Sequence, residues 1–420
     1  MPTNVKNIFI TSTTGFMGSH FIYESIKEGN IDYYYCIARE LKNESAENRV
    51  KNATLNAAKN SGEDNLEQIL LLIEKKVIVI DVNFYDDDFV NIVEKILSKI
   101  NIDDVWHFAA FLSLANNETV SKRIFNINYN GTKNILEYAK IKEATFNYIS
   151  TAYVSGQSKE LSIEKLKDDS YDTNNPYEFY KRKSEMKISE FAEKNNLRYR
   201  IFRPSIVICH SKTGGGDTST GYYGYIAVAQ KIKHDVSTKM PTYLENFPLK
   251  ILVENSNLYM NLIHIDLATQ MMIEIAKSDK TLDKIFHIAN PKPVHYKSCH
   301  DIFSMVTNVK LSFETDSQKM NVIDTIANEQ LNNFGSYYHS NNFFDCSNGL
   351  KYSKFTAEQL KVNFDALKES SFEYLKTIQR QEKILLKKSG DFINSKMQRK
   401  YVSCDSKLNY YVTGEKKKLY

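Results

Sequence analysis

Across 420 residues there are only 15 glycines, 7 prolines, 5 cysteines and one tryptophan. So little glycine and proline excludes collagen-like repeats and a chain made mostly of low-complexity linker. Cys36, Cys209, Cys299, Cys346 and Cys404 are odd in number, far apart and without any CxxC pair. Neither a disulfide framework nor a zinc site is therefore expected, no metal is assigned, and a reducing, cytoplasmic setting fits. Long apolar runs are missing as well. Stretches such as Ile69 to Ile73 and Val77 to Ile80 meet charges far short of the roughly 18 residues a membrane span needs, so no transmembrane segment is expected. The N-terminus reads as a buried strand rather than a signal peptide, because Asn7 to Ile10 leads at once into a glycine-containing turn. An excess of one charge is the last thing lacking. Lys and Arg number 55 against 51 Asp and Glu, a net charge of +4, which gives no electrostatic reason to expect a nucleic-acid partner.

What is present is an apolar fraction of 42%, ample for a packed core. Short β-branched runs alternate with helical patterns. Ile8 to Thr11 is followed by a helix to about Glu28, Tyr33 to Ala38 by a long polar helical stretch, and Val77 to Asp81 by a helix near Phe89 to Ile100. Then come Asp104 to Phe108, a helix from Val120 to Ala139, Phe146 to Ser150, a helix from Tyr177 to Glu193, and Arg198 to Arg203. Strands separated by helices imply right-handed crossovers and a parallel sheet covered on both faces. The expected fold class is α/β, a doubly wound Rossmann sheet with a smaller C-terminal substrate domain. After about Ser205 the regularity fades into a Gly- and Tyr-rich segment, and Lys387 to Tyr420 is polar and basic, which reads as a solvated tail.

The first strand runs through Thr11 into Ser12, Thr13, Thr14, Gly15, Phe16, Met17 and Gly18 and then a helix. Gly15 lets the backbone approach a pyrophosphate at the helix N-terminus, and Gly18 lets that helix pack closely on the sheet. Ser12 stands where such turns usually have their first glycine, so the turn must tolerate a Cβ. At the end of the second strand, Arg39 faces the adenosine ribose, where a cation pairs with a 2′-phosphate and selects NADPH. Asp81 and Val82 close the third strand beside the adenine. Phe108, Ala109 and Ala110 close the fourth and leave room for the cofactor. His107 reads as a satisfied strand-end residue.

A carbonyl reductase needs hydroxyls on the carbonyl oxygen and a proton donor tuned by a cation. Tyr177 and Lys181 share one helix face at i and i+4. The YxxxK spacing also occurs at Tyr23/Lys27, Tyr129/Lys133 and Tyr138/Lys142, but only Tyr177 follows the strand whose end carries Ser150 and Thr151. Together with TSTTGFMG, CIAR, VWHFAA, NINYNGTKNIL, ISTAYVSG, PYEFYKRKSE, FRPSIVICHSKTGG and NLIHIDLA, in this order, the chain resembles the thioester-reductase and fatty acyl-CoA reductase (male-sterility-like) branch of the extended short-chain dehydrogenases.

The resemblance implies Thr151 as hydroxyl donor, Tyr177 as proton donor and Lys181 on the nicotinamide ribose. It implies Asn128 as a structural brace, Pro204, Ser205 and Ile206 at the nicotinamide, and His210 near the substrate entrance. Tyr222 and Tyr223, in the Tyr-rich segment, are candidate pocket lining. The division implied is an NADP-binding domain over 1–205, its sheet partly completed by later segments, a substrate-binding region over 206–380 and a basic polar tail over 381–420. The activity implied is NADPH-dependent reduction of an acyl thioester to aldehyde or alcohol. No adenylation or carrier domain fits in the chain, so the acyl group is expected on CoA or on a carrier protein in trans. Two other classes stay open on the residues alone: a ketone or alcohol dehydrogenase, sugar-nucleotide epimerase or dehydratase with the same triad, and a dinucleotide-binding regulator. A homo-oligomer also stays open.

Overall fold

Alternating side chains on the first strand set the architecture. In the computed structural model, which describes residues 6–41, 43–167, 172–216, 219–254, 258–331, 337 and 343–397, with side chains to 381, Ile8 and Ile10 face one core and Phe9 the other. All three are fully buried, as a strand covered on both sheet faces requires. Among the described residues the strands are β1 (Asn7–Thr11), β2 (Tyr33–Ala38), β3 (Val77–Asp81), β4 (Asp104–His107), β5 (Thr145–Ile149), β6 (Tyr199–Pro204) and β7 (Ile206–Ile208). There follow β8 (Leu249–Leu252), β9 (Tyr259–Met260), β10 (Leu262–His264), β11 (Lys284–Ile288), β12 (Val294–His295) and β13 (Leu311–Glu314). Seven of them form one parallel sheet in the order β11-β6-β5-β4-β1-β2-β3. The chain reverses direction along the sheet between β1 and β4, the place where an open α/β sheet leaves a crevice beyond its strand ends. This is the Rossmann architecture expected from the alternation.

Helix Phe16–Glu28 buries Phe21 against Trp106 of β4, ring centroids 4.3 Å apart, and Trp106 stacks on Phe202 of β6 at 5.4 Å and 15°. The single tryptophan thus joins three elements of one core. The opposite face is covered by helices Phe89–Leu97, Gly131–Ile141 and Pro176–Asn195, which contribute Val93, Ile135, Tyr138 and Ile188. The long polar helical stretch after β2 folds as two helices, Ala46–Asn60 and Leu66–Lys76. The break is local: Gly62 adopts φ +74°, a left-handed stop that glycine makes readily. Strands β7 and β10 pair in parallel, as do β8 and β13, while β9 and β12 pair antiparallel.

Residues Met1–Phe372 form one compact unit and Glu373–Tyr420 a second. Helix Phe364–Met397 carries the chain well past the start of the expected polar tail; residues 398–420 of that tail, Cys404 among them, lie outside the described residues.

A buried ion pair fixes the helix that matters most for the site. Arg203 of β6 donates from Nε and Nη2 to Glu185 of helix Pro176–Asn195 at 2.9 and 2.6 Å, and both side chains are buried. The same guanidinium donates to the carbonyls of Ile163 and Lys165, so helix, strand and loop meet on one cation. Glu185→Ala should lower stability by about 3–5 kcal/mol, because it strands a buried guanidinium. Lys122→Ala, which breaks the exposed pair to Glu118, should cost less than about 1 kcal/mol. Urea midpoints measure both, and comparable losses would contradict this ranking.

Candidate active site

The parallel sheet brings the carboxyl ends of β1 to β6 to one edge, and Thr11, Arg39, Asp81, Phe108, Thr151 and Pro204 lie at or just past those ends. At the end of β1, Ser12 takes φ +58°, the left-handed conformation for which a glycine is ordinarily used. Such a residue costs roughly 1–2 kcal/mol in an L-amino acid, and the following contacts hold it. The Gly15 N–H donates to the Ser12 carbonyl at 3.0 Å. A Cβ on Gly18 would lie 2.2 Å from that same oxygen, so only glycine permits this approach. Thr13 donates to the Ile37 carbonyl at 3.3 Å and ties the turn to β2. Gly15 caps helix Phe16–Glu28 without a side-chain bond and no acidic residue occupies its first turn, leaving the positive helix end open to an anion. Thr14, Phe16 and Met17 are half-buried around it.

Thr11 holds the next strand end. Its hydroxyl bonds His107 Nδ1 at 2.9 Å and accepts from the Ala109 N–H at 3.1 Å. His107 Nε2 bonds Thr132 at 3.1 Å, and burial pushes the imidazole well below its usual range, which keeps it neutral. Phe108 and Ala109 are buried beside it, with Ala110 half-buried. Asn128 lies in a π-helical segment, Phe125–Asn130, and accepts from the Phe111 N–H at 2.7 Å while donating to the Phe111 carbonyl at 3.0 Å. It therefore braces the segment that follows β4.

The Arg39 guanidinium is exposed at the end of β2, donating to the Tyr85 hydroxyl at 3.0 Å. Arg49, from helix Ala46–Asn60, donates to the Arg39 carbonyl and brings a second guanidinium to the corner. Asp81 is paired in register with Ala38 and accepts from the Glu40 N–H at 3.3 Å, while buried Val82 donates to the Ala38 carbonyl at 3.1 Å.

On the other side of the switch point, Thr151 is buried and caps a short 3-10 turn, Ala152–Ser155, accepting from the Tyr153 N–H at 3.3 Å. Lys181 is fully buried; its Nζ donates to the Ile149 carbonyl at 2.6 Å and lies 4.5 Å from the Tyr148 ring centroid. Burial pushes its ammonium down to about 7, and the Glu185 carboxylate partly opposes that. Tyr177 starts the same helix. Burial, and then the neighbouring Glu178 carboxylate, hold its phenol above the usual tyrosine range. The i, i+4 pair thus points its cation at the strand end, and the phenol is kept as an acid. Pro204 ends β6, and Ile206 opens β7. The buried Ser150 and Ser205 hydroxyls at these adjacent strand ends have no hydrogen-bond partner among the described residues.

His210, Tyr222 and Tyr223 are held by contacts outside the β1 to β6 strand ends. The His210 imidazole accepts from the Lys212 and Thr213 N–H groups at 3.2 and 3.4 Å and faces Asp266 at 3.7 Å. Tyr222 and Tyr223 are buried, with hydroxyls bonded to Ser371 at 3.1 Å and Ser370 at 2.5 Å. The loop between His210 and Tyr222 reaches the phosphate turn, since a Cβ on Gly216 would lie 3.6 Å from Phe16.

A family model described as Male sterility protein, an NAD-binding group, matches residues 10–272. The chain belongs to that family. With its sheet order, this makes it an NAD(P)-dependent oxidoreductase of the extended short-chain dehydrogenase type. The non-canonical nonribosomal peptide synthetase cpsA of Aspergillus campestris (strain IBT 28561) is 25% identical over 261 residues, covering 59% of this chain and 24% of its own length. The chain therefore spans about a quarter of that relative. Among solved structures, the terminal R domain from the myxalamid PKS-NRPS biosynthetic pathway superposes with TM-score 0.65 at 16% identity, over 89% of this chain and 90% of that one. A thiolation-reductase di-domain from an archaeal non-ribosomal peptide synthetase gives 0.67 at 19%, over 90% and 76%. UDP-glucuronic acid 4-epimerase from Bacillus cereus in complex with NAD gives 0.58 at 18%, over 89% and 99%. At these identities the likeness is one of fold. Among the described residues, no helix of this family member is long and apolar enough to cross a membrane.

The strand-end set fits a dinucleotide: a left-handed turn, a glycine approach, an uncapped helix end and orphaned buried hydroxyls. Arg49 and Tyr85 were not found by reading the sequence, since nothing in their spacing marks them; Glu178 was missed although its place three residues after Asn175 spells a helix-capping pattern. Arg39→Ala should raise the dissociation constant for NADPH by about 10- to 100-fold while leaving NADH nearly unchanged, as loss of a charge-assisted contact would. Fluorescence titration of both cofactors checks this, and equal losses would remove Arg39 from the 2′-phosphate.

Proposed function

We propose that this chain reduces an acyl thioester, presented on CoA or on a carrier protein in trans, to an aldehyde or alcohol with NADPH. The observation that carries the reading is the Lys181 bond to Ile149. It fixes the Tyr177 helix to the strand end bearing Thr151, within a chain of the Male sterility protein family. The curated relative is a peptide synthetase, and two similar folds are an R domain and a thiolation-reductase di-domain, which supports a thioester on a carrier. Residues 1–205 would hold the cofactor and 206–380 the substrate, with 381–420 as a basic tail; the buried, unpaired cysteines among the described residues fit a cytoplasmic setting.

When bound, the nicotinamide supplies a hydride to the carbonyl carbon. Gly15, Gly18 and the helix end would hold the pyrophosphate, Arg39 with Arg49 the 2′-phosphate, and Lys181 the nicotinamide ribose. Ser150, Ser205 and Ile206 would meet the nicotinamide end. Thr151 and Tyr177 donate to the carbonyl oxygen as negative charge develops there, and Tyr177 gives up its proton. The resulting hemithioacetal collapses to aldehyde and free thiol, and a second round gives the alcohol. His210, Tyr222 and Tyr223 would shape the substrate side by holding their loop and helix in place rather than by direct chemistry.

Thiol release separates this reading from reduction of a ketone or turnover of a sugar nucleotide, which frees none. With purified protein, NADPH and long-chain acyl-CoA, one thiol should appear for each NADPH consumed if aldehyde is the product, and one for every two if alcohol is. Tyr177→Phe should lower kcat by about 10²- to 10⁴-fold, and Thr151→Val should depress thiol release and NADPH oxidation in parallel. NADPH oxidation with ketones or sugar nucleotides, and no thiol from any acyl thioester, would move the protein to the other class.

A further inference from the structure

Residues 108–116, which follow β4, belong to neither strand nor helix, so side chains help to hold them where the chain leaves the sheet. Two side-chain clamps do so, two residues apart. Thr11 Oγ1 accepts from the Ala109 N–H at 3.1 Å, and the Asn128 side chain bonds both backbone groups of Phe111, at 2.7 and 3.0 Å. His107, the last residue of β4, reaches both clamps. Its Nδ1 lies 2.9 Å from Thr11 Oγ1, and its Nε2 lies 3.1 Å from Thr132 Oγ1, which donates to the Asn128 carbonyl one turn back. His107 and Thr11 have no exposed surface, and Asn128 and Thr132 have almost none.

The direction of every bond in this run follows from its two ends. A carbonyl only accepts, so the single Thr132 hydroxyl proton goes to Asn128, and His107 Nε2 donates to the Thr132 oxygen. A backbone N–H only donates, so Ala109 occupies a lone pair of Thr11, and the Thr11 proton goes to Nδ1. The run therefore passes from the Ala109 N–H through Thr11, His107 and Thr132 to the Asn128 carbonyl. All of its bonds are satisfied in one state, a neutral imidazole with its proton on Nε2. A proton on Nδ1 would strand the Thr11 hydroxyl proton where water does not reach, at the cost of an unmade buried bond. The rings of Phe84, Phe146 and Tyr148 surround the imidazole, with centroids at 5.6, 6.2 and 5.7 Å. Burial first, and then the Lys181 charge, disfavour a second cation there.

We propose that His107 is a positioning residue for the dinucleotide: as an uncharged donor and acceptor it locks the Thr11 and Asn128 clamps together and so fixes the Ala109–Phe111 segment against which the cofactor binds. The inference rests on the reading of Phe108, Ala109 and Ala110 as the cofactor side of β4.

The test needs no substrate. In the full chain labelled with nitrogen-15 histidine, and with His107 assigned by its loss in His107→Gln, two-bond proton–nitrogen spectra should show Nε2 protonated and Nδ1 bare at neutral pH. His107→Phe keeps a ring and removes both bonds, and it should raise the dissociation constant for NADPH by about 10-fold, the scale of one or two lost hydrogen bonds. His107→Gln, whose amide is an uncharged acceptor and donor, should bring it back to within about threefold of the unsubstituted chain. His300→Phe, at another buried histidine, should leave that constant unchanged whatever it does to the urea midpoint, which separates positioning from loss of stability. If His107→Phe does not fold by circular dichroism, Thr132→Val, which keeps the branched shape and cuts the link to Asn128, is read in its place and should weaken NADPH in the same sense. A proton on Nδ1, unchanged NADPH affinity in the folded variants, or a loss in His107→Gln as large as in His107→Phe overturns the inference. A chain that binds neither NADPH nor NADH before any substitution removes instead the reading on which it rests.

Discussion

A lysine ammonium taken out of water organises this site. Lys181 has lost its hydration shell and regains contacts from one strand: the Ile149 carbonyl at 2.6 Å and the face of the Tyr148 ring. The carboxylate whose charge acts on it, Glu185, is already bonded twice to Arg203. The lysine therefore locates the helix on β5 while Arg203 locates it on β6, and Tyr177 inherits its position from both. The same burial has a thermodynamic signature. The fold lowers the lysine's proton affinity from about 10.5 to about 7, so between those values the unfolded chain binds more protons and this group makes stability rise with pH. Glu178 acts in the opposite sense: its proton affinity is raised to about 7 by burial, so its contribution falls as pH rises from its ordinary 4.5 toward 7.

These opposed tendencies belong to chemistry more than to stability. Lys181 beside one strand end and Glu178 in the first turn of the same helix are both buried, so packing rather than bulk water sets their proton affinity. Across the switch point, the cofactor side is built the other way. Arg39 is exposed, the phosphate turn is made of backbone groups, and the helix end carries partial positive charge without any formal ion in its first turn. One edge of the sheet thus has a polar, open half with an uncapped helix end and a closed half with buried ionisable side chains.

The sheet was legible because a parallel strand buried on both faces spells itself as a short β-branched run, and because a doubly wound sheet carries its ligands at strand ends. That logic put Arg39 and Thr151 just past strand ends, where the structure has them, and it preferred Tyr177, on the helix whose Lys181 reaches Ile149, over Tyr23, Tyr129 and Tyr138, whose spacing to lysine is the same. Tyr138 is buried in the core with its ring 4.6 Å from that of Phe9. What periodicity could not carry was contact between distant segments. Nothing in the sequence around Tyr337 announces that it bonds Glu178, nor around Arg49 that it reaches the Arg39 carbonyl. Ser12 was legible as an oddity, and its left-handed backbone explains it. The break at Gly62 was readable in principle, and the polar composition on either side concealed it.

Isotope transfer tests the account most directly. The chain, with NADPH carrying deuterium at both C4 positions and a long-chain acyl-CoA, should give a product whose C1 holds one deuterium if it is an aldehyde and two if it is an alcohol, read by mass spectrometry. Acyl products without deuterium at C1, from a protein that binds the cofactor, would contradict hydride delivery to a thioester carbonyl at this strand edge.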